Sequence, residues 1–89
     1  MTKINIYLAT RRRLAMYMDY IHRTYYDTNM SIKWDVKFNV VSDYKHEALA
    51  VLNFAYVLGA MSDSKFEYMY DRFTKFARHY EKKIMDKVW

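Results

Sequence analysis

Apolar residues recur over residues 3–28 at helical spacing: Ile4, Tyr7 and Leu8, Leu14 and Ala15, Met18, Ile21 and Tyr25, with Arg11 interrupting the stripe. The alternation of Ile4, Ile6 and Leu8 also allows a short opening strand with a helix after Thr10. Such a helix would set Arg11, Arg12 and Arg13 at the positive end of its dipole, which is unfavourable. A start near Thr2 moves them to mid-helix, so one long first helix is the preferred reading. Asp27-Thr28-Asn29 break the stripe. Ile32, Trp34, Val36, Phe38 and Val40 then alternate strictly with Lys33, Asp35, Lys37 and Asn39, which predicts a half-buried β-strand with one polar face.

Ser42 or Asp43 would cap the next helix, which runs to about Leu58. From Ala48 onward it is apolar on every side except at Asn53, so it is expected to be the buried centre. Gly59 ends it as a residue free to take positive φ. Ser64 followed by Glu67 reads as the capping box of a last, amphipathic helix over about 65–87. Phe66, Met69, Phe73, Phe76, Tyr80 and Ile84 mark its apolar face, and Arg72, Lys75, His79 and Lys82 a basic face read as solvated. The predicted class is mainly α (α+β), with a long N-terminal helix, one β-strand, then two antiparallel helices. All of it forms a single compact domain over residues 1–89. A lone strand leaves backbone donors and acceptors unsatisfied, so pairing across a homodimer is expected.

Composition sharpens this picture. A chain of 89 residues has room for one core and buries only part of its unfolded surface. Without cysteine it has neither disulfides nor thiolate metal sites, and stability must come from its 17 aromatic residues and 7 Met, or from assembly. No apolar run reaches the length of a membrane span and no signal-peptide pattern opens the chain, so an intracellular, cytoplasmic protein without membrane association is expected.

Catalytic chemistry finds little purchase. Ser31, Ser42, Ser62 and Ser64 sit at element boundaries, where capping accounts for them. The single glycine makes no phosphate-cradling loop. Asp19 with His22 and Asp43 with His46 share a helical face at i, i+3, a spacing that reads as surface ion pairing. The chain is therefore expected to be non-enzymatic, with no cofactor and no metal.

The net charge of +5 favours acidic or phosphate-bearing partners. Arg11, Arg12 and Arg13 form the densest charge and suit a phosphate clamp or an anchor on an acidic partner. Lys33, Asp35, Lys37 and Asn39, on the strand's polar face, complete the candidate partner-binding set.

Residues 32–80 resemble the ribbon-helix-helix family of DNA-binding proteins. The likeness rests on Phe38-Asn39-Val40, on the turn Gly59…Ser62…Ser64, and on Glu67 through Phe73. It implies two strands paired in a major groove, with Lys33, Lys37 and Asn39 at base edges and the helix start at Ser62–Lys65 on a phosphate. As a class, the chain is also similar to small phage-encoded inhibitor proteins, being tiny, rich in Tyr and Met, and free of catalytic motifs. Asp35 opposes phosphate and the long leading helix has no place in a ribbon dimer. The preferred expectation is thus a non-catalytic inhibitor that occupies a host protein or protein–nucleic-acid complex, such as a defence or transcription complex. A dimeric DNA-binding regulator is the alternative, and a self-assembling helical subunit a third reading.

Overall fold

The computed structural model describes residues 2–27 and 33–88. They form three helices, α1 (Lys3–Tyr26), α2 (Trp34–Val57) and α3 (Asp63–Val88), each antiparallel to the one before it. Thr2 caps α1, its Oγ1 accepting from the Asn5 N–H at 3.2 Å, so residues 3–9 are helical and the three arginines lie mid-helix. Thr10, Leu14, Tyr17 and Ile21 form the buried stripe of α1, one residue per turn. The Thr10 hydroxyl reaches the core because it donates to the Ile6 carbonyl at 2.7 Å.

The expected strand is absent. Residues 34–40 are the first turns of α2, and Ile32 lies outside the described residues. This overturns the α+β class, the strand pairing across a dimer and the start of the helix at Ser42 or Asp43. The segment carries two periods at once. Trp34, Val36, Phe38 and Val40 alternate, but Trp34, Phe38 and Val41 also fall on one side of a helix that continues through Ala48, Leu52 and Ala55. A helix satisfies its own backbone within the monomer, whereas a strand here has no described neighbour to pair with. Lys37 completes the change of face. It is buried, and its ammonium donates to the carbonyls of Tyr25 at 3.3 Å and Asp27 at 2.9 Å. A side chain expected at a strand's polar surface thus closes the C-terminal end of α1, where the dipole favours a cation.

α2 ends in a Schellman turn. Gly59 has φ +75, the Gly59 N–H donates to Tyr56 and the Ala60 N–H to Ala55. α3 begins at Asp63, two residues earlier than expected, and is capped by Ser62 in place of Ser64, the Ser62 Oγ accepting from the Lys65 N–H at 3.2 Å. Its stripe of Phe73, Ala77, Tyr80 and Ile84 packs with Val41, Ala48 and Leu52 to make the core. Across the α2–α3 contact, Lys45 and Glu81 form a nearly buried ion pair at 2.9 Å. α2 packs on both other helices, but its third face is open, with Phe54 65% and Val57 73% exposed. The expectation that the stretch from Ala48 onward is the buried centre is corrected by geometry, since a helix with two neighbours leaves part of its circumference to solvent.

Candidate functional site: a basic groove between α1 and α3

Charge is divided among the helices. α1 carries five Lys and Arg against one acid, α2 two against three, and α3 seven against five. Two of the three acids of α2, Asp43 and Glu47, are exposed on its solvent side, as is Asp35 in the first turn. The positive excess belongs to α1 and α3, which pack less extensively on each other than either does on α2.

Between them runs a groove of about 230 Å³. Arg11 from α1 and Lys65 and Arg72 from α3 line it, with Tyr7 and Tyr68 beside them. Leu14, Ala15, Met18, Met69 and Phe73 form an apolar floor, and no acidic residue contributes. Helical spacing builds both walls: Tyr7 and Arg11 are one turn apart on α1, and Tyr68 and Arg72 one turn apart on α3. The cations are held by tyrosines. Arg72 Nη1 donates to the Tyr68 hydroxyl at 3.3 Å, while the Arg11 guanidinium and Lys65 Nζ lie 5.9 and 5.8 Å from the Tyr7 ring centre. None of the three forms an ion pair among the described residues, where the pairs are Arg23–Asp19, Lys45–Glu81 and Lys75–Asp71.

The residues expected to bind a partner are scattered by this fold. Of the arginine cluster only Arg11 enters the groove. Arg12 is exposed beside it, in a shallow depression with Leu8 and Ala15. Arg13 turns toward α2, its guanidinium 5.8 Å from the Tyr17 ring. Lys33 precedes α2, Asp35 and Asn39 are exposed on it, and Lys37 is buried, so these four make no common surface. Tyr7 and Tyr68 were not read as binding residues, Arg72 was read as solvated, and Lys65 entered only through the phosphate-holding helix start that the DNA-binding likeness implies. Their sequence signal was the spacing of Lys65, Tyr68 and Arg72 along one flank of the apolar stripe of α3.

Two other features frame the groove. At the far end of the bundle, Lys83 lies 5.1 Å from the Tyr25 ring and 5.8 Å from the Tyr80 ring, and Lys37 lies 4.3 Å from that of Trp34. Beside this cluster His22 Nδ1 and the Tyr80 hydroxyl share a 2.6 Å hydrogen bond, and burial raises the Tyr80 phenol above its ordinary pKa. Tyr56, near the α2–α3 turn, is also raised, because its hydroxyl donates to the Asp63 carboxylate. On the opposite side, a second groove between α1 and α2 is almost wholly apolar, with Ile6, Ala9, Val51, Phe54 and Leu58 lining it and Arg13 at its rim. No helix among the described residues is long and apolar enough to cross a membrane. No protein-family model matches the sequence, and no curated protein or solved structure matches it.

Proposed function

We propose that this chain is a non-catalytic binding module of inhibitor type, which covers an anionic surface of a host protein or protein–nucleic-acid complex with its α1–α3 face. The observation that carries the reading is the groove of Arg11, Lys65 and Arg72, three cations with tyrosine neighbours and no carboxylate partner among the described residues. Cations left unneutralised in this way are available to an external anion without first breaking an internal pair.

A pull-down from host lysate, with and without nuclease, tests the proposal with two charge-reversed variants. Arg11→Glu with Arg72→Glu should lose the partner, while Arg23→Glu, outside the groove, should keep it. Retention of every partner by the double variant would remove the basic face from the interface.

A further inference from the structure

We infer that the α1–α3 groove holds an unpaired stretch of nucleic acid, an inference that rests on reading this face as an anion-binding surface and names the anion. A polar clamp alone would serve an acidic protein as well as a phosphate. The apolar floor decides between them. An aspartate or glutamate brings its charge on a short stem and has no flat apolar body for a trough of about 230 Å³ whose accessible floor is Ala15, Met18 and Met69. A nucleotide brings both parts, a phosphate for the guanidinium groups and a base for the floor and the tyrosine rings. Tyr68 is 59% exposed, so its ring is free to accept a base, while its hydroxyl is already engaged by Arg72.

The size of the groove favours the unpaired form. About 230 Å³ takes an unstacked base, whereas a duplex with stacked, paired bases reaches only the rim. Lys65 and Arg72 are seven residues apart, or about 10.5 Å along α3 at 1.5 Å per residue. Arg11 stands on the other wall, so the three cations are based on both walls and over two turns of the groove.

The test is fluorescence anisotropy with three labelled probes. These are a mixed-sequence single strand of about twelve nucleotides (in DNA and RNA form), its duplex, and poly-glutamate of matched charge. The single strand should bind at least about tenfold more tightly than either competitor, with a log–log salt slope near −2 from about three phosphate contacts at 0.7 each. Tyr68→Ala should weaken strand binding about tenfold and leave poly-glutamate unaffected, and Tyr68→Phe should retain strand binding. Because Tyr68 is largely exposed, circular dichroism should show these variants folded. Equal affinity for strand and poly-glutamate, or a Tyr68→Ala variant that binds strand normally, would overturn the inference and leave the anionic-surface reading standing. Binding of neither polyanion would overturn both.

Discussion

Replacing Lys37 by Met tests the largest departure of the fold from its sequence reading. Met keeps the length and apolar stem of the side chain, so packing against Trp34 is preserved and the ammonium alone is lost. That ammonium makes hydrogen bonds of 2.9 and 3.3 Å to the last carbonyls of α1 and sits 4.3 Å from the Trp34 ring centre. Hydrogen bonds to charged groups contribute about 1.5–3 kcal/mol each, and a cation over an indole about 0.5–2 kcal/mol. The longer bond is weak, and carbonyls at a helix end regain water once the lysine is gone. A net loss of about 2–3 kcal/mol is therefore expected. In a domain of this size that lowers Tm by about 10–20 °C. Thermal and urea melts followed by far-ultraviolet circular dichroism read the effect directly. A strand with Lys37 on its solvent face predicts no loss at all. A Tm within about 2 °C of wild type would refute the capping of α1 by Lys37.

Further outcomes follow from other buried polar groups. Lys45→Met should cost about 2–4 kcal/mol by stranding the Glu81 carboxylate, and adding Glu81→Leu should restore most of it. Additive losses in the double variant, measured by urea denaturation, would show the two charges to be uncoupled. The Tyr56 and Tyr80 phenols should ionise above their ordinary value. A phenol raised in the folded state contributes stability that is complete below about pH 10 and disappears as pH rises through the folded value. Phenolate absorbance should accordingly show a late phase, and the Tyr80 part of it should accompany opening of the site that buries its ring. A single phase at the ordinary value for every tyrosine would contradict the placement of both.

The legible parts of the fold were those governed by local chemistry. The stripe of α3, the stop at Gly59 and the start of α1 at Thr2 each depend on residues within a few positions of one another. Residues 34–40 were misread because apolar residues there fit both a period of two and a helical period, and β-branched Val36 and Val40 favoured the first. What settles the matter is the contact of Lys37 with carbonyls 10 and 12 residues upstream, which no local window contains. The groove was half visible. The cluster at Arg11–Arg13 stood out as charge, but the opposite wall lies more than fifty residues away in sequence. Arg72 looked like one solvated cation among several until the packing of α1 against α3 placed it across from Arg11.

The uneven packing of the three helices divides the molecule into parts of different opening cost. α2 and α3 share a short Gly59 turn, the Lys45–Glu81 pair and the most extensive contact, while α1 meets α3 along the looser seam. In native-state hydrogen exchange, α1 should form the less protected unit, opening below the global unfolding free energy. A ligand seated in the α1–α3 groove bridges that seam and binds only the closed form, so it fastens the helix most ready to leave. Occupancy would then register as slowed exchange concentrated in the amides of α1, a signature readable without knowing the ligand in advance.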